Sequence, residues 1–118
     1  MHDARAEIIA FVAGWYEAWS ARDIPAYLAC YASLYQGRET TPEAWRTARS
    51  RVIANAGIIQ ITITRFQITR KGDDRAVVTF RQSYRASKKS DVGAKELQLR
   101  RIDGRWRIHN EIFVPDGD

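Results

Sequence analysis

The sequence predicts an α+β chain in which three N-terminal helices pack into the concave face of a curved four-stranded antiparallel sheet. Three observations carry this. Before Gly57, apolar side chains recur at spacings of three and four; from Ile58 onward they alternate with polar ones, the period of strands. Two glycine–aspartate turns and one polar, charged loop divide the alternating part into four segments. Thirteen aromatics among 118 residues supply large interior side chains with polar edges, suited to a core or a ligand pocket.

Ile8, Phe11, Val12, Trp15, Tyr16 and Trp19 form one apolar stripe, predicting a helix over 3–20 with Asp3 as its cap. Asp23 caps a second, short helix with Pro25 in its first turn and Tyr27, Leu28 and Tyr31 along it. Residues 33–40 read as a loop. Thr41-Pro42-Glu43 opens a third helix whose inner face carries Trp45, Ala48, Arg49, Val52 and Ile53, ended by Gly57 at C′. Arg49 is an odd charge for an apolar face.

In the first strand Ile59, Ile61 and Ile63 face inward, and a phase slip at Arg65 brings Phe66 and Ile68 in, the mark of a β-bulge. After Gly72-Asp73-Asp74, Ala76, Val78, Phe80, Gln82 and Tyr84 share one face over 76–86. Residues 87–92 read as a loop. A third strand over 94–102 points Lys95, Leu97 and Leu99 inward; Asp103-Gly104 turns the chain into a strand over 105–114 with Trp106 and Ile108 inward. Residues 115–118 read as a frayed tail. No linker or repeat interrupts 1–118, which reads as one domain with its core at about 3–114.

One cysteine excludes an internal disulfide, and Cys30 reads as a small core residue. His2, His109 and Cys30 are too scattered to converge on a metal, so neither metal nor cofactor is expected. The sequence as written leads us to expect no signal peptide or membrane span, and the chain reads as soluble. The net charge of +5 favours anionic surroundings. Arg81, Arg85, Arg100, Arg105 and Arg107 fall on the convex face, but the aromatics needed to stack bases point inward, so nucleic acid is not expected and a solvated face is.

Helix order, strand lengths and aromatic placement resemble the nuclear transport factor 2-like (SnoaL-like) superfamily. Closest is the C-terminal accessory domain of bacterial L,D-transpeptidase-type cell-shape enzymes. The resemblance rests on "WYEAWSARD" with Trp15 and Trp19, "YLACY" with Tyr27 and Tyr31, "WRTAR" with Trp45 and Arg49, "FRQSYR", Lys95, Leu97 and "GRWRIHNE". It implies a cone with a pocket at its open end, and a periplasmic setting if the chain is part of an envelope protein. A fold of this kind does not confer a function by itself.

Strand parity gathers Gln82, Tyr84 and Lys95 on the concave face, with Arg49 from the third helix. Glu111 joins them if a bulge near Asn110 turns it inward. Trp15, Tyr16, Trp19, Tyr31 and Trp45 supply aromatic walls. Two readings stand side by side. The cluster holds a small polar or anionic ligand, or it is a charge-paired plug in which Arg49 or Lys95 neutralises Glu111 and Gln82 bridges them. The ligand reading makes the chain a non-catalytic accessory domain, associated with peptidoglycan enzymes and binding a ligand or part of a partner. The alternative is a stand-alone isomerase- or dehydratase-like enzyme using Glu111 with Tyr84 or Tyr16. Against it, an ion-paired Glu111 is a poor base and His109 has outward parity. A homodimer is a third reading; its convex arginines would need Glu96 or Asp91 as partners.

Overall fold

The computed structural model describes residues 3–117. Asp3 opens helix α1 (Ala4–Ser20), its Oδ1 accepting the amides of Arg5 and Ala6. Arg22, at φ +57°, ends it in a left-handed cap, with Asp23 N–H donating to Ala18 O and Arg22 N–H to Trp19 O. Asp23 then caps α2 (Ile24–Ala29) and Thr41 caps α3 (Pro42–Ala54). Asn55 is the C-cap of α3, so Gly57, at φ +71°, lies one residue beyond the expected C′ position.

Four strands follow as a meander in the order β1 (Gln60–Arg70), β2 (Arg75–Arg85), β3 (Ser90–Ile102) and β4 (Arg105–Pro115), all antiparallel. A bulge sits at the expected place in β1, where register shifts between Thr64 and Gln67 and Arg65 takes φ +56°. A second bulge inserts His109 in β4: Gln98 pairs with Asn110, while Leu99 pairs with Ile108. Asp103 and Gly104, both at positive φ, make the two-residue β3–β4 turn.

The apolar stripe of α1 lies against the concave sheet face. Ile8, Trp15, Val78, Leu97, Leu99 and Ile108 have no solvent exposure, and Trp19 is 5% exposed. Trp15 packs on Phe80 with ring centroids 6.0 Å apart, and Trp19 stacks on Tyr84 at 5.2 Å. Residues 30–32 are stapled to β4: Ile108 N–H donates to Cys30 O and Ala32 N–H to Ile108 O, both at 2.8 Å.

Four expectations need correction. Val52, expected inside, is half exposed where α3 meets the rim of the concavity. Cys30 is only half-buried, at the C-cap of α2, with its thiol pushed up to about 11 by burial. Strand β3 begins at Ser90, because β2 pairs with it as far as Arg85↔Ser90. The C-terminal segment is pinned at Asp116, whose N–H donates to Val92 O and whose carboxylate takes both Arg81 Nη groups. Asp118, like His2, lies outside the described residues. Among these, no helix is long and apolar enough to cross a membrane.

Candidate functional site

The open end of the concave face is a cup of about 760 Å³. Alternation along β2 aims Gln82 and Tyr84 into it, and β3 contributes Asp91 and Lys95. The His109 bulge reverses the parity of β4, so Glu111 and Phe113 point in after Trp106 and Ile108. Trp19, Tyr27, Tyr35, Trp45 and Arg49 complete the wall from the helical side. Gly37 fits at the rim, 2.9 Å from Trp45 Cδ1 as measured from where a Cβ would stand.

A directed chain of hydrogen bonds forms the floor. Glu111 is held at both oxygens: Oε2 is ion-paired with Lys95 Nζ, and Oε1 accepts from the Tyr31 hydroxyl at 2.8 Å. Tyr31 has spent its only proton there, so its contact with the Tyr27 hydroxyl at 2.9 Å must have Tyr27 as donor. Trp15 Nε1 donates to the Tyr31 oxygen at 3.1 Å, and Arg49 Nη2 donates to the Tyr27 oxygen at 3.3 Å. Arg49 thus communicates with Glu111 through two tyrosines. The Lys95 ammonium also sits 5.3 to 5.9 Å from the ring centroids of Phe113, Trp19 and Trp15, an aromatic collar that favours a cation.

The electrostatics follow from this burial. Tyr27 and Tyr31 are pushed far above the ordinary phenol range, first by burial and then by the Glu111 carboxylate. Tyr35 rises to about 12 for the same two reasons, and burial raises Tyr84. Burial opposes the charge on Arg49, but the Tyr27 and Tyr31 hydroxyls and Glu111 outweigh it and hold the guanidinium above its usual value. Among the described residues Arg49 has no carboxylate in ion-pair contact, whereas Lys89 pairs with Asp91 and Lys95 with Glu111. Trp19 Nε1 and Gln82 Oε1 are buried without a hydrogen-bond partner.

Seven of the ten sequence-assigned residues line the cup: Trp19, Trp45, Arg49, Gln82, Tyr84, Lys95 and Glu111. Trp15 and Tyr31 lie beneath it, in the floor. Tyr16 lies elsewhere; its hydroxyl donates to Ile61 O at 2.8 Å, beside a separate groove between α1 and β1. Gln82 does not bridge the charges, as its oxygen has no partner. Sequence reasoning passed over Tyr27, Tyr35, Asp91 and Phe113. Tyr31, expected along the second helix, lies past the end of α2 in a bridge to Ile108, yet its spacing of four from Tyr27 still brings the two hydroxyls together. His109 faces the convex side, with Arg75 and Gln98. No group of three or more His, Cys, Asp or Glu among the described residues is placed to hold a metal.

Residues 7–112 match the model of the Cds6 C-terminal NTF2-like domain. No curated protein sequence matches the chain. Among solved structures, Bd1075 of Bdellovibrio bacteriovorus is similar at TM-score 0.85 and 21% identity, over 96% of this chain and 41% of that one. The helical cell shape determining protein Pgp2 of Campylobacter jejuni, as its K307A mutant, is similar at TM-score 0.80 and 16% identity, over 89% of this chain and 39% of Pgp2. A Streptomyces avermitilis NTF2-like protein, provisionally named a dehydratase, is similar at TM-score 0.81 and 14% identity, over 96% of each chain. The chain therefore spans about two fifths of Bd1075 and Pgp2, and at these identities the likeness is one of fold.

Proposed function

Since the chain belongs to the family of Cds6 C-terminal NTF2-like domains, we propose that its cup binds a small anionic ligand without chemical turnover, as an accessory to a cell-envelope enzyme. The observation that carries this is Arg49. Its guanidinium lies in the wall of an open cavity, is preorganised by Tyr27, and has no carboxylate partner among the described residues. A planar guanidinium so held matches a carboxylate or phosphate. Aromatic faces from Trp19, Tyr35 and Trp45 suit the less polar part of the ligand. The envelope association rests on the family and on likeness to a cell shape determining protein.

Catalysis through Glu111 fits the geometry poorly. Both its oxygens are engaged, and taking a proton would discharge the ion pair and leave the buried Lys95 ammonium without a counter-charge. Tyr16, the second partner considered for it, is bonded to the β1 backbone instead.

Titration calorimetry with citrate and with N-acetylated dipeptides tests the reading, alongside denaturing mass spectrometry of whatever co-purifies. Arg49→Gln is expected to abolish binding while changing stability by less than about 1 kcal/mol, and Tyr16→Phe is expected to leave binding intact. A stability loss of about 3–5 kcal/mol on Arg49→Gln, with no anion bound by the parent chain, would establish the structural plug.

A further inference from the structure

The sheet register sets three arginines in one line. Arg75 on β2 faces Arg100 on β3, and Arg100 faces Arg107 on β4. Adjacent strands lie about 4.8 Å apart, so the line runs about 10 Å across the convex face. Like charges directly opposite one another destabilise a sheet. No carboxylate relieves these: the ion pairs among the described residues involve Arg70, Arg81, Lys89, Lys95 and Arg101, not the three in the line. Arg107 ties only one nitrogen, Nη1, to the Trp106 carbonyl.

Beside the line lies a depression of about 470 Å³ bordered by Thr69, Lys71, Arg75, Gln98 and His109. Lys71 adds a fourth cation. Glu96 is the one acid at its edge, and its Oε2 accepts from Gln98 Nε2 at 2.7 Å. His109 registers the local field: burial, then Arg100 and Arg75, hold its imidazole below the ordinary value.

We propose that Arg75, Arg100 and Arg107, with Lys71 beside them, dock a linear polyanion of phosphate type laid across the strands. A sheet keeps three opposed cations at little loss when counter-charges spaced along one chain meet them together, releasing bound counterions on contact. A single phosphate fits the depression but cannot span the line. Bases find nothing to stack on, because the aromatics of the four strands (Phe66, Phe80, Tyr84, Trp106 and Phe113) all have concave-face parity. This surface is separate from the cup and does not rest on the reading of it.

The test is titration with inorganic polyphosphate of defined length at several salt concentrations. Binding is expected at low salt, weakening with a log–log slope of about −2 to −3 for three contacts. The triple variant Arg75→Gln/Arg100→Gln/Arg107→Gln is expected to weaken it at least tenfold. Its thermal midpoint should be unchanged or higher, since repulsion is relieved. Arg5→Gln/Arg46→Gln/Arg51→Gln removes the same net charge from the helical side and should leave affinity within twofold. Equal losses in the two triples would reduce the effect to net charge and overturn the proposal, as would absence of binding by the parent chain. Tighter binding of single-stranded DNA or phosphatidylglycerol vesicles than of polyphosphate at equal charge would also overturn it.

Discussion

Lys95 and Glu111 are each tolerable inside the cup because of the other. Lys95→Met leaves a carboxylate with one neutral donor, and about 3–5 kcal/mol of stability should be lost. Lys95→Met/Glu111→Leu removes both charges and should recover much of that loss, a coupling that urea denaturation of the three variants would measure. The tyrosines beneath them make a pH prediction. Tyr27 and Tyr31 keep their protons in the folded chain well past the ordinary value of 10.0, so unfolded tyrosines release protons first as pH rises. The stability they contribute is therefore full below pH 10 and declines above it. Tyrosinate absorbance followed with circular dichroism should show Tyr35 ionising near 12, ahead of Tyr27 and Tyr31, whose signal should appear only as the fold opens. An early step from either buried tyrosine would contradict the hydrogen-bond chain.

At the level of elements, two bulges decide where side chains go, and they were not equally legible in sequence. The β1 bulge shows itself because apolar residues on both sides of Arg65 break phase. The β4 bulge has no such mark: Ile112 and Val114 would continue the alternation from Trp106 and Ile108, and only the need of Arg49 and Lys95 for an acid pointed to Glu111. The start of β3 was hidden by its composition. Ser90, Asp91 and Val92 read as loop, yet pairing with β2 overrides propensity there, which is why Asp91 went unnoticed as a cup residue. Gly93 has a steric reason: a Cβ would strike the Val114 carbonyl oxygen and come within 2.7 Å of Pro115 Cα. Gly93→Ala should therefore cost about 1–3 kcal/mol, with amide exchange accelerated at the β3–β4 end beside the cup. Unchanged exchange there would refute the contact.

For the molecule as a whole, helix order, strand order and the identity of the concave face were legible, because periodicity reports burial directly. The cup's membership was mostly legible for the same reason. Its wiring was not: which hydroxyl donates to which oxygen depends on side-chain placement that no spacing specifies, and Tyr16 shows that sharing a stripe does not mean sharing a pocket. One consequence follows from how the four tryptophans are distributed. Trp19 and Trp45 border the cup, Trp15 lies under it, and Trp106 is buried at the other end, bonded to Glu7 and covered by Arg101. The chain thus carries its own fluorescent gauge, biased toward one of its two candidate surfaces. A ligand entering the cup should shift the emission, and Trp19→Phe/Trp45→Phe should silence most of that shift. A polyanion on the convex face should bind without changing the colour of the light.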